Sequence, residues 1–272
     1  MGLLFAALAA VSWGTFFVPV RKVGITNVWQ LQGATSIGVL LFAIPIGFFW
    51  GFEIQSSGLV SGVIWTVGNI LALYAVRLIG LARTSPFLAG FSIIASFTWG
   101  ILFFGEKFNS LILALVAIGF LLSGLPFVSN GVRNPSVQKK GYIIAAAGGL
   151  IGGSYVIPMQ AAHTLQAGFF SSSLSIFAIG VPLFFMVKRF IKKETVAGII
   201  SGTLFNIGSL SVLIAIGLVG ITLAFPISQT ATLFAVSWGI LYFKEIVQKR
   251  GIIRVGTGAA LILCGAALLS IA

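Results

Sequence analysis

An eight-residue segment of this sequence occurs twice and indicates that the chain consists of two homologous halves. Residues 99–106 read WGILFFGE and residues 238–245 read WGILYFKE, so six of the eight positions are identical. The offset between the copies is about half of the 272-residue chain. Other landmarks repeat at nearly the same offset: Gly80 and Gly220, Pro86 and Pro226, Pro19 and Pro158, Asn69 and Asn206. Such a repeat limits the fold to two copies of one structural unit.

Apolar segments follow one another along almost the whole chain. Hydrophobic residues make up 58% of the sequence and charged residues only 7%, whereas soluble domains contain roughly 25% charged residues. The core of a soluble protein cannot account for this composition. Most of the chain must therefore face lipid or other membrane helices, and no polar stretch is long enough to form a separate soluble domain.

Ten apolar runs are each long enough to cross a bilayer as a helix, which takes roughly 20 residues. We predict helices at about residues 2–20, 30–50, 58–79, 84–105, 108–129, 141–161, 168–187, 195–217, 220–243 and 251–271. The most turn-like stretch of the chain lies within residues 130–140. The predicted fold is therefore an all-α integral membrane protein with two five-helix repeats, residues 1–129 and 141–272, joined by a cytoplasmic linker.

The basic residues lie almost entirely on one side of the predicted helices. Fifteen of the 16 Lys and Arg residues lie in or beside the loops after helices 1, 3, 5, 7 and 9, and only Lys107 lies on the other side. Loops rich in Lys and Arg stay in the cytoplasm, so both termini are expected outside. Because each repeat has an odd number of helices, the halves insert in opposite orientations, as in many secondary transporters.

The same distribution bears on the partners of the chain. The net charge of +12 does not indicate a nucleic acid partner, because the basic residues lie in short loops between apolar runs. The run 188–193 is expected to contact anionic lipid at the cytoplasmic surface. The oligomeric state stays open between a monomer and a homodimer.

Residues that could catalyse a reaction or bind a metal are scarce. The chain has one His (His163), one Cys (Cys264), no Asp and four Glu. A membrane-embedded enzyme would need a nucleophile with a base, a carboxylate pair or a metal cluster, so we expect no enzyme, no cofactor and no metal. All four Glu residues fall at predicted helix ends or in loops. We therefore expect facilitated diffusion, or a coupling that uses Glu106 or Glu245.

Several short motifs carry a resemblance to known transporters. Each predicted half has a Pro that opens its fourth helix and a Glu that closes it, which resembles the drug/metabolite transporter superfamily. Within it, the chain is most similar to the glucose/ribose porter family of sugar transporters. The matching residues are Ser12–Trp13–Gly14 with Pro19 and Lys22, Trp65 with Gly68–Asn69, and Pro226–Ile227–Ser228–Gln229. Helix 6 departs from this pattern, because Gly152–Gly153–Ser154–Tyr155 replaces the Trp-Gly of helix 1.

The resemblance implies a secondary transporter that moves a small neutral polar solute, above all a sugar, across the cytoplasmic membrane by alternating access. A drug/metabolite-type exporter of amino acids or other metabolites is the alternative. No Arg or Lys falls at a predicted helix centre, which argues against an anionic substrate. A third possibility is a non-transporting assembly or receptor-like membrane protein, whose core would be packed without a polar cavity.

Polar groups within the hydrocarbon layer mark the candidate binding site. Asn69 and Asn206 are counterparts in the repeat and fall near the middle of helices 3 and 8, where inverted-repeat transporters bind their substrates. An amide offers donors and acceptors to hydroxyl groups. Trp65 lies four residues before Asn69 on the same helix face, and Trp13 could supply a second ring. The alternative is that each Asn joins helices through an Asn–Asn or Asn–Ser hydrogen bond, and each Trp is a packing residue.

Two further sets of residues complete the candidates. Gln229 follows Pro226, and a proline bend could direct its amide inward; a satisfied side chain at a helix start is the alternative. Gln30 and Gln32 are expected to be interfacial. Glu106 and Glu245 lie near opposite faces and could gate access through salt bridges. The favoured interpretation is a solvated carboxylate at a helix end, or one that stabilises the N-terminus of the following helix.

Overall fold

The chain consists of helices and the segments that connect them, over the residues that the computed structural model describes. These are residues 1–104, 110–129, 135–164, 166–187, 190–219, 224, 227–269 and 271. The helices are α1 (Gly2–Thr15), α2 (Val18–Val23), α3 (Val28–Trp50), α4 (Ser56–Ile79), α5 (Leu81–Phe104), α6 (Leu111–Ser129), α7 (Pro135–Gly153), α8 (Ile157–Ala161), α9 (Gly168–Phe185), α10 (Lys192–Val219), α11 (Ala231–Ser237) and α12 (Lys249–Leu269). A π-helical turn, Trp238–Tyr242, follows α11.

Seven helical segments, counted over the described residues, are long and apolar enough to cross a membrane. They are Gly2–Val23, Val28–Trp50, Ser56–Ile79, Lys139–Ala161, Gly168–Phe185, Lys192–Val219 and Lys249–Leu268. Leu81–Ala95 and Ile112–Val128 are shorter apolar helical stretches. The all-helical, multi-pass character of the chain is thereby confirmed, and the ten-span inverted repeat stays a prediction.

The first and the sixth predicted helices are each interrupted at the same relative place. Residues 16–17 separate α1 from α2, and residues 154–156 separate α7 from α8. Pro19 and Pro158 are the second residues of α2 and α8. A proline has no N–H to donate, and its ring collides with the carbonyl four residues earlier, so it interrupts a continuous helix. The repeated prolines therefore account for both breaks.

The predicted ninth helix, residues 220–243, differs from the structure in its described part. Residues 227–229 are helical, Thr230 forms a turn, and an α-helix then runs from Ala231 to Ser237, where the chain widens into the π-helical turn. The Phe243 N–H donates to the Trp238 carbonyl at 3.0 Å, a bond that spans five residues. Turns of this kind interrupt α-helices at single places and often lie at functional sites.

The helix predicted at residues 84–105 begins earlier, at Leu81. Gly80 precedes it with a φ of 83°, a conformation that glycine adopts readily. The Glu245 carboxylate accepts hydrogen bonds from the N–H groups of Leu81 and Ala82, at 2.9 and 2.8 Å. A carboxylate that accepts these bonds stabilises a helix start, so the extra turn depends on a residue 164 positions away.

Helix packing follows a pattern that is unchanged when the two halves are exchanged. Helix α10 packs against α1, α2 and α3, and helix α4 packs against α7, α8 and α9. Likewise α1 packs against α11, and α7 packs against α5. Helices α6 and α12 pack against one another at the side of the molecule. Helices α4 and α10 are therefore the two central elements.

Loops from both halves meet at one end of the molecule, which we call the basic end. Glu194 at the start of α10 is 1% exposed and accepts hydrogen bonds from the N–H groups of Thr26 and Asn27, at 2.7 and 3.3 Å. Arg21 and Glu245 lie at this end too, and the Arg21 Nε atom is 2.8 Å from the Glu245 Oε1 atom. The interpretation of Glu245 as a solvated carboxylate is therefore wrong, and Glu194 is buried as well.

Hydrogen bonds also join helices to loops at the opposite end. The Ser171 hydroxyl donates to the Glu53 carbonyl and accepts from the Gln55 N–H, both at 2.8 Å. The Ser57 and Thr164 hydroxyls lie 2.7 Å apart. The loop after α3 is thereby joined to α9, and α4 is joined to the loop before α9.

Small residues let the central helices approach closely. A Cβ atom added at Gly202 of α10 would meet the Thr35 carbonyl and would lie 2.8 Å from the Val39 nitrogen, both on α3. A Cβ at Gly58 would lie 2.6 Å from the Gly168 carbonyl of α9. Glycine at such positions allows backbones to touch.

The close contact of α3 with α10 gives a testable prediction. Gly202→Ala forces a methyl group against rigid backbone atoms, so we expect it to destabilise the protein by about 1–3 kcal/mol. Gly256→Ala in α12 is the matched control, because a Cβ there meets nothing within 4 Å. Thermal unfolding of both purified variants in detergent checks this. An equal melting temperature for Gly202→Ala and wild type would contradict the packing described.

Candidate functional site

Five aromatic side chains meet between the two central helices, and we call them the central cluster: Trp13, Phe16, Trp65, Tyr155 and Phe205. Trp65 and Phe205 are buried, and their ring centroids lie 4.2 Å apart at an interplanar angle of 35°. Trp65 belongs to α4 and Phe205 to α10, so this ring contact joins the two halves. The other three rings pack around it.

Two members of the central cluster come from the helix breaks. Phe16 and Tyr155 hold equivalent positions in the two halves, because each stands at the third position before its repeated proline. Trp13 lies one turn before the first break, and its indole N–H donates to the Phe205 carbonyl at 3.2 Å. The breaks therefore place aromatic rings of both halves between α4 and α10.

The tryptophans of the repeated octapeptide hold both breaks. Trp99 donates its indole N–H to the Ser154 hydroxyl at 2.7 Å, and Trp238 donates to the Thr15 hydroxyl at 3.2 Å. The two acceptors are separated in the chain by the same offset as the two donors. Each half thus binds the broken helix of the other half through the same hydrogen bond.

Asn69 lies one turn beyond Trp65 on α4 and forms a hydrogen bond with Gln32 of α3. The Asn69 amide nitrogen donates to the Gln32 amide oxygen at 2.7 Å. Asn69 is 5% exposed and Gln32 is 0% exposed. Gln30 is also buried, and it bonds to Ile191 and Thr195. Both glutamines are therefore buried and bonded within the protein, while their interfacial depth in the membrane stays a prediction.

Asn206 joins three helices rather than bonding to its counterpart Asn69. Its amide nitrogen donates to the Val39 carbonyl of α3 at 2.8 Å and to the Ser173 hydroxyl of α9 at 3.0 Å. Both hydrogens of the amide are thereby used. This is the Asn–Ser arrangement that the sequence left open, and it fixes α10, which carries Phe205, against α3 and α9.

Gln229 and Glu245 share no described hydrogen bond or ring contact with Trp13, Trp65, Asn69 or Asn206. Gln229 is half-buried in the helical residues 227–229. Glu106 lies outside the described residues. The structure therefore brings together Trp13, Trp65 and the two helices that carry Asn69 and Asn206.

Glu245 is bound at the basic end by groups from three segments. Its side chain is 4% exposed, and Arg21 donates to it at 2.8 Å. The N–H groups of Leu81 and Ala82 complete its shell. Arg21, at 32% exposure, also lies 5.8 Å from the centre of the Phe243 ring. The carboxylate thus holds together α2, the start of α5 and the segment after the π-helical turn.

Two open cavities lie at the ends of the molecule among the described residues. One of about 490 Å³ is lined by Trp50, His163, Thr164, Gln166, Ala167, Leu213, Ile216 and Gly217. Its α10 residues continue the helix face of Asn206 by two to three turns. The other, of about 960 Å³, is lined by Thr26, Asn27, Trp29, Leu183, Met186, Val187 and Ile191 and lies at the basic end.

Four residues at the site are not among those predicted from the sequence: Phe16, Tyr155, Phe205 and Gln32. The repeat offers a signal for Phe16 and Tyr155, because both are aromatic and hold the same position before a repeated proline. Phe205 precedes the selected Asn206 but is one of 25 Phe residues. Nothing in the sequence separates Gln32 from Gln30.

Comparison with known proteins assigns this arrangement to a family. A family model described as "Sugar transport protein" matches residues 4–272. The chain is 27% identical to the glucose uptake protein GlcU of Bacillus subtilis (strain 168), over 100% of this chain and 99% of the relative. It is also 27% identical to the "Putative ribose uptake protein RbsU" of Latilactobacillus sakei subsp. sakei, over 97% of this chain and 96% of the relative.

A solved crystal structure has a similar fold. It is 17% identical in sequence, has a TM-score of 0.65 and covers 98% of this chain and 95% of its own. At this level of identity, the similarity shows the fold alone.

The hydrogen bonds of Asn206 predict a measurable coupling. Asn206→Ala leaves the Val39 carbonyl without this donor in an apolar setting, so we expect a loss of stability of about 1–3 kcal/mol. Ser173→Ala removes one of the same bonds, so the double variant should lose less than the sum of the two single losses. Thermal unfolding of the three variants measures this. Strict additivity would show that the Asn206–Ser173 bond does not stabilise the protein.

Proposed function

The chain belongs to the family of sugar transport proteins, and we propose that it is a secondary transporter that moves a small neutral sugar across the cytoplasmic membrane by alternating access. The family agrees with the resemblance to glucose/ribose porters that the sequence motifs carry. The relatives named above are a glucose and a ribose uptake protein, so D-glucose and D-ribose are the first substrates to test. The relatives are transport proteins, which fits a chain without enzymatic activity.

The observation that carries this proposal is the position of the central cluster beside the Asn69–Gln32 pair. Aromatic rings can cover the C–H face of a sugar ring, and amides can bond its hydroxyl groups. Trp65 and Asn69 are one turn apart on α4 and buried where the two halves meet. In the proposed site, Trp13, Trp65 and Asn69 contact the sugar, Asn206 holds the surrounding helices, and Gln229 approaches as the site opens.

The inverted-repeat topology that alternating access requires is supported by three repeated features. The helix breaks lie at Pro19 and Pro158, the indole hydrogen bonds of Trp99 and Trp238 have acceptors at the same offset, and the packing around α4 matches that around α10. Together with the odd number of predicted helices per half, these features favour two five-helix units of opposite orientation, and hence ten spans.

The proposed orientation in the membrane rests on the residues that meet at the basic end. Arg21, Glu194 and Glu245, which stand in the predicted cytoplasmic loops, meet at one end of the structure. We propose that this basic end faces the cytoplasm and that both termini lie outside. The cavity of about 960 Å³ lies beside Ile191 in the basic segment 188–193, which suits contact with anionic lipid. A homodimer stays a proposal that the size of the purified protein tests.

The buried Glu245 is proposed to close the cytoplasmic gate. It binds Arg21 and the start of α5, so separating the halves at this end requires breaking an ion pair and two hydrogen bonds. Glu106, its counterpart in the repeat, is proposed to act at the outer gate. The cavity of about 490 Å³ along α10 is the proposed outer approach to the site. Transport then proceeds by facilitated diffusion, or by a coupling that uses a gate carboxylate.

Sugar uptake into proteoliposomes tests the function. We expect wild-type protein to equilibrate labelled D-glucose or D-ribose, and Asn69→Ala to lower uptake efficiency about tenfold, which corresponds to one lost hydrogen bond of about 1.4 kcal/mol. Trp65→Ala should lower the uptake efficiency by at least the same factor. Gly256→Ala is the folded control. Uptake of amino acids without sugars would indicate the exporter alternative, and unchanged sugar uptake in Asn69→Ala would remove Asn69 from the site.

The gate is tested by the accessibility of a buried residue at the basic end. Val20 is 0% exposed, and Val20→Cys in a Cys264→Ser background reports opening through its reaction with a membrane-impermeant maleimide from the cytoplasmic side. Adding Glu245→Gln should increase the labelling rate several-fold, because the neutral amide holds Arg21 less strongly. Glu53 is an exposed residue at the opposite end, so Glu53→Gln should leave the labelling rate unchanged. Equal rates for all three proteins would contradict the gate.

A further inference from the structure

Two glutamines on the same turn of α3 have the same burial and different hydrogen bonding. Gln30 and Gln32 are both 0% exposed. The Gln30 amide donates to the Ile191 carbonyl and to the Thr195 hydroxyl, and it accepts from the Ile191 N–H. The Gln32 amide accepts from Asn69 and has no partner for its nitrogen among the described residues. Gln30 therefore serves the structure, and Gln32 has unused hydrogen-bonding capacity.

An unpartnered amide nitrogen is unfavourable in a buried, apolar setting. Removing such a group from water without a new acceptor costs free energy, which an apolar side chain of similar shape would avoid. The nearby Thr35 hydroxyl, one turn further along the same helix, is also buried and unpartnered among the described residues. Two unsatisfied polar groups thus lie one turn apart, on the α3 segment that contacts Asn69.

The location of Gln32 matches the proposed binding site. Its partner Asn69 lies one turn from Trp65 of the central cluster. On α3, Gln32 lies between Leu31, which packs in the apolar core toward the basic end, and Val39, which packs in the aromatic core. Along α3, Gln32 therefore lies between residues that pack in the apolar core and residues that pack against the aromatic rings.

The Asn69–Gln32 pair offers a donor and an acceptor side by side. Gln32 has its free NH₂ group, and no described hydrogen bond engages the Asn69 amide oxygen. Flipping both amides, so that each oxygen and nitrogen change places, exchanges these roles but still leaves one donor and one acceptor. Two adjacent sugar hydroxyls can fill both positions, because each hydroxyl donates and accepts.

We propose that Gln32 is a sugar-binding residue that acts with Asn69 and selects solutes with two adjacent hydroxyl groups. This proposal rests on the transport function proposed above. Gln32 donates from its free amide nitrogen to one hydroxyl oxygen, while the neighbouring hydroxyl donates to the free amide oxygen of the pair. A solute that lacks one of the two hydroxyls leaves a buried polar group unpaired and is bound more weakly.

The test compares Gln32→Leu with its matched control Gln30→Leu in proteoliposomes. Gln32→Leu should raise the KM for D-glucose or D-ribose about tenfold. The melting temperature should change little, because the substitution removes the unpartnered Gln32 nitrogen and leaves the Asn69 nitrogen unpartnered instead. Gln30→Leu should lower the melting temperature and leave the KM within twofold of wild type. Gln32→Met, another unbranched side chain of similar length, provides a second variant if Gln32→Leu does not fold.

A series of monodeoxy sugars sharpens the result. Wild-type protein should discriminate against the deoxy sugars that lack either contacted hydroxyl, and Gln32→Leu should lose most of that discrimination at one position. If wild-type protein transports sugar and both Gln32 variants keep the wild-type KM and discrimination, the proposal for Gln32 is wrong while the transport function stands. If wild-type protein moves no sugar, both proposals fail.

Discussion

The hydrogen bond from one indole to the end of a broken helix is the interaction on which the central architecture depends. Trp99 binds Ser154 and Trp238 binds Thr15, so each half holds the break of the other. The breaks exist because Pro19 and Pro158 cannot continue a helix. They place Phe16 and Tyr155 between α4 and α10, where the rings of Trp65 and Phe205 are in contact. A duplicated sequence thus produces a site shared by both halves.

Several of the polar groups buried among the described residues join separate segments of the chain. Asn206 ties α10 to α3 and α9, Glu194 holds the loop before α3, and Glu245 holds Arg21 and the start of α5. Within a bilayer such groups are costly when unpaired, so their partners fix the geometry. Against this background the unpartnered amide nitrogen of Gln32 stands out beside the central cluster, and a ligand with hydroxyl groups would complete its bonding.

Much of the fold could be predicted from the sequence, because apolar length and repeated prolines act locally. The all-helical membrane character and the equivalence of Pro19 and Pro158 follow from the pattern, and the structure shows both breaks. The burial of Glu194 and Glu245 could not be predicted, because their partners lie far away in the chain. Four partners are backbone N–H groups, which have no side-chain signature, and Arg21 is one of 16 basic residues. The roles of Gln30 and Gln32 could not be separated either, since each depends on which helix packs against its face of α3.

The central claim is that one sugar site is exposed alternately to the two sides of the membrane. Counterflow tests it most directly. Proteoliposomes loaded with unlabelled D-glucose or D-ribose are diluted into buffer with a trace of the same labelled sugar, with no imposed gradient of protons or potential. Alternating access predicts that labelled sugar accumulates transiently above its equilibrium level, because unlabelled sugar inside occupies the inward-facing site and keeps the label from leaving. A monotonic approach to equilibrium, with no overshoot at any loading concentration, would contradict the claim.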